Sequence, residues 1–214
     1  MNPVTRQVLQ AAGPILLVLG MASMGGAAGA QETASSQTFS YDQLFDAGRY
    51  EAALTSGVLF SPFGPSRMRQ TNNYTVTGLE LGYMLGDVKG EGWWRGNFEL
   101  AGEGFGSIVY DGPGGYIAGA TLWLRYNFVP RISLGLAPYF QVGGGFVSTD
   151  VDHGIVGQPF NFNLDVGAGV RYMIARNWAI SLEFRYQHIS NANLNNHNLG
   201  INAAGPILGV SYFF

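Results

Sequence analysis

His188 and Ser190 are the side chains of this sequence best suited to covalent chemistry. They end a segment in which Trp178, Ile180, Leu182, Phe184 and Tyr186 recur at every second position. In an extended strand such residues share one face, with backbone positions i and i+2 about 6–7 Å apart. An imidazole beside a hydroxyl is the minimum for nucleophilic acyl transfer. The ring takes the hydroxyl proton as the oxygen attacks a carbonyl, and a third group holds the ring tautomer. Counting back by twos from Phe214 through Tyr212, Val210 and Leu208 reaches Asn202 on the last strand. With the intervening loop centred near Asn196, antiparallel pairing sets Asn202 opposite Ser190 and makes it the candidate third member. The bland alternative is that polar residues simply mark the end of an apolar belt, and the pair alone does not choose.

The strand that must carry the pair is one of eight. Segments of period-two alternation run over about 49–61, 73–85, 93–105, 115–128, 131–146, 159–174, 178–190 and 199–214. In the fourth, Tyr116, Ala118, Ala120, Leu122, Leu124, Tyr126 and Phe128 oppose Thr121, Arg125 and Asn127. In the sixth, Phe160, Phe162, Leu164, Val166, Ala168, Val170 and Tyr172 oppose Asn161, Asn163, Asp165 and Arg171. Such alternation means strand, because successive side chains point to opposite faces. An even count closes an antiparallel barrel and removes the unpaired edges that lipid cannot solvate. The fold expected is therefore all-β, an eight-stranded antiparallel transmembrane β-barrel of the outer-membrane type, spanning 49–214.

Short connections after strands two, four and six, and longer ones at 62–72, 106–114, 147–158 and 191–198, orient it with short turns in the periplasm and loops outside. His188 and Ser190 then face lipid near the extracellular rim. The opposite, luminal rows carry Glu51, Glu80, Arg95, Glu99, Glu103, Arg125, Asp165, Arg171, Glu183 and Arg185. In so narrow a barrel these charges pair and fill the interior. A soluble ligand-binding barrel would instead bury its apolar rows and would not line its interior with charge. Tyr74, Tyr83, Trp93, Trp94 and Trp178 read as interfacial girdle residues. Gly102, Gly104, Gly106 and Gly143-Gly144-Gly145 read as strand glycines; no helix follows them, so a nucleotide loop has no support. His153 and His197 fall in loops without metal-ligand spacing.

Composition agrees. Charged residues make up 12%, aromatic residues 14%, and 32 of the 214 residues are glycine. There is no cysteine, hence no disulfide and no thiolate nucleophile. A single Arg6, an apolar stretch from Ala11 to about Met24 and Ala28-Gly29-Ala30 together read as a signal peptide over 1–30. The alternative, a membrane anchor, needs about 20 apolar residues, more than this run holds. Removing it takes the formal charge from −3 to −4, with no basic cluster for nucleic acid. Residues 31–48 form a polar periplasmic segment before the barrel.

The stretch Phe184-Arg185-Tyr186-Gln187-His188-Ile189-Ser190-Asn191-Ala192, with Asn198-Leu199-Gly200-Ile201-Asn202 and Leu208-Gly209-Val210-Ser211-Tyr212, resembles the lipid A 3-O-deacylase (PagL-like, acyloxyacyl hydrolase) family. The resemblance covers about thirty C-terminal residues: an aromatic strand ending in H-x-S-N-A, then N-x-G and a final strand. It implies an outer-membrane serine esterase removing the 3-position acyl chain of lipid A (lipopolysaccharide) from the outer leaflet. His188 would be general base, Ser190 nucleophile, and Asn191 a donor to the oxyanion. The family's orienting glutamate is replaced by Asn202, whose carbonyl still accepts from an imidazole but carries no full charge. No metal and no cofactor are expected. A homodimer is compatible with such a barrel, though nothing in the sequence selects it. A non-enzymatic structural or adhesive barrel, and a passive transporter of small apolar compounds, are the competing functions.

Overall fold

In a computed structural model, residues 40–61, 71–131, 135–151 and 153–214 are described. The proposed signal peptide lies outside them. Eight strands form one closed antiparallel barrel: β1 (Tyr50–Leu59), β2 (Asn73–Met84), β3 (Gly96–Asp111), β4 (Tyr116–Phe128), β5 (Leu136–Thr149), β6 (Phe160–Ala175), β7 (Trp178–Ser190) and β8 (Ile201–Phe213). Neighbours in sequence pair with each other, and β1 closes the ring on β8. Among the described residues no helix is long and apolar enough to cross a membrane.

Polarity is inverted relative to a water-soluble protein. Leu79 is 69% and Leu208 65% exposed on the outer wall, whereas Glu51, Glu99, Arg125, Arg171 and Arg185 are buried inside. Only a hydrocarbon surround makes that arrangement favourable. An aromatic band rings the end that carries Phe214. Trp178 lies against Tyr212 (4.9 Å between ring centroids), Tyr212 against Phe214 (6.1 Å), Phe214 against Tyr50 (5.6 Å) and Tyr50 against Tyr83 (5.0 Å).

Side chains fill the interior at three levels. Nearest the Phe214 end, residues 41–45 form a 3-10 turn whose Leu44 and Phe45 pack on Met84, Val129, Met173 and Phe213. The middle is charged. Arg125 pairs with Glu80 (2.6 Å), Glu99 (2.9 Å) and Glu51 (3.2 Å), and Arg171 also pairs with Glu51. Arg185 pairs with Glu183 (2.8 Å) and Glu103 (2.9 Å). At the far end Leu59, Tyr74, Val76, Ile117, Val147, Ile155, Ile189 and Ile201 form an apolar layer.

Four expectations change. Tyr74 is fully buried and donates its hydroxyl to Gln187 Oε1 (2.9 Å) rather than joining a girdle, because it shares the inward parity of Glu80. Arg95 lies outside the strands and pairs with Asp42 (2.8 Å). Trp93 and Trp94 precede β3 in a short 3-10 turn at Gly92–Trp94, highly exposed. Finally β3 continues to Asp111, so only residues 112–115 connect it to β4, fewer than the 85–95 segment between β2 and β3.

Candidate active site

His188, Ser190 and Tyr186 stand on the outward parity of β7, all half-buried. Phe162 and Leu164 of β6 pair with Ser190 and His188. On the other side the register sets Asn202 of β8 beside His188, not beside Ser190 as a loop centred on Asn196 required. The loop is asymmetric: Leu194 N–H donates to Asn191 O (3.0 Å) across Ala192 and Asn193, both with positive φ (53° and 62°). Residues 194–200, ending at Gly200 with φ +71°, then lead to β8.

The altered register places Asn202 where an orienting group belongs. His188 Nδ1 lies 2.7 Å from Asn202 Oδ1. An amide oxygen only accepts, so in this orientation of Asn202 the hydrogen belongs on Nδ1, and a neutral ring then has its lone pair on Nε2. Tyr186, which the sequence assigns only to the apolar row, donates its hydroxyl to the same Oδ1 (2.7 Å). The signal available in advance was its position two residues before His188 on the same face.

Ser190 shares this face, and the structure records no hydrogen bond between it and the imidazole. Gly200 defines the space between them. A Cβ built there would lie 3.3 Å from His188 Cε1, 3.7 Å from Ser190 Cβ and 2.9 Å from Ile189 O. Its φ of +71° also favours glycine. Both side chains therefore border the same small space beside Gly200, and catalytic hydrogen bonds commonly tighten only with substrate bound.

Asn191 has a different role from the one its type suggested. Its side chain has the inward parity and is buried. Both amide hydrogens are taken, by Val156 O (3.1 Å) and His197 O (2.9 Å). It cannot offer them to an oxyanion without releasing the loop. With Leu199 and Gly200 N–H donating to Ile155 O (2.9 and 3.0 Å), and Asn195 Nδ2 to Gly157 O (3.2 Å), it ties the β7–β8 loop to the turn after β5. The sequence reading missed this latch, which joins segments about 40 residues apart. His197 enters no metal-ligating group among the described residues. The acidic trio Glu51, Glu80 and Glu99 is luminal and already faces two guanidiniums.

Residues 69–211 match the family described as lipid A 3-O-deacylase (PagL). No curated protein matches the chain. Among solved structures, the outer membrane enzyme PagL is similar at 19% identity and TM-score 0.52, covering 77% of this chain and 98% of its own. Neisserial surface protein A gives 18% and 0.57, covering 78% and 98%. The N-terminal β-barrel domain of Pseudomonas aeruginosa OprF gives 18% and 0.51, again covering 78% and 98%. At these identities the likeness to the solved structures is one of fold.

Proposed function

The chain belongs to the lipid A 3-O-deacylase family of the bacterial outer membrane, and we propose that it is a serine esterase releasing the 3-position acyl chain of lipid A. The observation that carries this reading is the His188–Asn202 hydrogen bond on the outer wall, two residues from Ser190 and within the span of the family match. It leaves Nε2 available as a base on the face that lipid touches.

The chemistry follows from that tautomer. Nε2 takes the Ser190 hydroxyl proton as Oγ attacks the ester carbonyl. The tetrahedral intermediate collapses, the sugar oxygen leaves, and His188 returns the proton to it. Water, deprotonated by the same nitrogen, attacks the acyl-serine, frees the fatty acid and restores the hydroxyl. Asn202 holds the ring throughout, while Asn191 supports the loop. The ester need not leave the membrane, because the pair faces the outer leaflet near the loop end of the barrel.

The direct test is incubation of purified, refolded protein with lipid A, followed by mass spectrometry. A product lighter by one hydroxyacyl group, with the matching free fatty acid, is expected. A serine-directed fluorophosphonate should add its mass to the peptide containing Ser190. Unchanged lipid A together with an unlabelled Ser190 would favour the structural or adhesive barrel. Gly200→Ala is a second check. A left-handed φ costs an alanine about 1–2 kcal/mol, and the new methyl crowds the imidazole. At least tenfold loss of hydrolysis is expected, with the barrel's circular dichroism retained.

A further inference from the structure

We propose that Tyr186 is a positioning residue, its hydroxyl holding the Asn202 amide with the oxygen turned toward His188. The need arises from the amide itself. A carboxylate offers an acceptor whichever oxygen faces the ring. A carboxamide has two nearly isosteric ends, one accepting and one donating. Rotated by half a turn, Asn202 would present NH₂ to Nδ1. That nitrogen would then have to accept, the ring hydrogen would move to Nε2, and no base would face Ser190. His188 alone does not choose between the two arrangements, since imidazole satisfies either by exchanging tautomers.

Tyr186 breaks the symmetry. Its hydroxyl and His188 Nδ1 both lie 2.7 Å from Asn202 Oδ1. A phenol is a better donor than acceptor, because its oxygen lone pairs are shared with the ring. Two donors converging on one atom favour the orientation with oxygen there. Tyr186 and His188 are i and i+2 on one strand, and Asn202 pairs with His188 across the ladder, so backbone hydrogen bonds preset the triangle. The cost of substituting an amide for an acid at this position is thereby reduced to the missing charge, without a second loss through the wrong tautomer. The kinetic consequence rests on the esterase reading; the tautomer does not.

The chain has three histidines, so protein labelled with ¹⁵N-histidine gives few ring signals, and His188→Gln identifies the one of interest. In alkaline buffer, with neutral rings, wild-type His188 should show the Nδ1–H tautomer. Tyr186→Phe should add a substantial Nε2–H population and lower kcat about tenfold, the scale of one hydrogen bond, with KM little changed. In Asn202→Glu the same tyrosine substitution should alter neither tautomer nor kcat, because a carboxylate cannot donate when ionised. A Tyr186→Phe protein whose His188 keeps the wild-type tautomer would overturn the proposal, as would an equal loss in the Asn202→Glu background. Failure of the esterase reading looks different: the tautomer responds as expected, yet Ser190→Ala hydrolyses lipid A as well as wild type.

Discussion

Ser190→Ala and His188→Asn are each expected to lower lipid A deacylation by about 10⁴-fold or more, and the double variant to be no worse than either. Nucleophile and base act as one unit. Without the hydroxyl there is nothing for Nε2 to deprotonate, and without the imidazole the hydroxyl stays a neutral alcohol facing hydrocarbon. The effect should fall on kcat, since neither side chain is needed to hold acyl chains against the apolar wall of Phe162 and Leu164. Single-turnover measurement on refolded protein checks this, with substrate binding followed separately. Additive losses would mean that the two residues act independently, for example as rim groups binding the head group. A loss under tenfold in either single variant would remove the acyl-enzyme route altogether.

The parity that brings these groups together was legible in the sequence, because a period of two is the direct imprint of a strand with lipid on one side. The same rule was available where the reading went astray. Tyr74 has the parity of Glu80, yet its aromatic character outweighed that and sent it to the girdle. Asn191 directly follows the outward Ser190 and therefore points inward, where it latches the loop. In β3, Ser107-Ile108-Val109-Tyr110 continues the alternation that an expected loop cut short. Other features carry no such imprint. The β7–β8 register depends on left-handed residues at Ala192 and Asn193, neither of them glycine. The partner of the Tyr186 hydroxyl is invisible in a row of rings until the β7–β8 register is known, although its place two residues before His188 is legible. Contacts of Asn191 and Gly200 with residues 155–157 are set by tertiary packing alone.

Arg125→Met is expected to cost about 3–5 kcal/mol of barrel stability, the scale for removing one partner from a buried ion cluster. The guanidinium meets Glu80, Glu99 and Glu51, donates from Nε to Gln141 Oε1 (2.7 Å) and lies 5.0 Å from the centre of the Tyr139 ring. Methionine replaces the volume but none of these bonds. Glu51 and Glu99 would retain Arg171, whereas Glu80 would lose Arg125, its one ion-pair partner among the described residues. The lost attraction matters most there, because lipid outside and packed side chains above and below leave Glu80 little access to water. Urea titration of protein folded into lipid vesicles measures the change. Glu80→Gln alone should cost less, since an amide oxygen still accepts from Arg125. Adding it to Arg125→Met should recover part of the loss, giving a coupling above about 1 kcal/mol between the two sites. Additivity would mean that Glu80 takes up a proton and is neutral whether or not Arg125 is present. Hydrolysis per folded molecule should stay at the wild-type level in all three variants, since the cluster lies inside the wall and His188, Ser190 and Asn202 outside it.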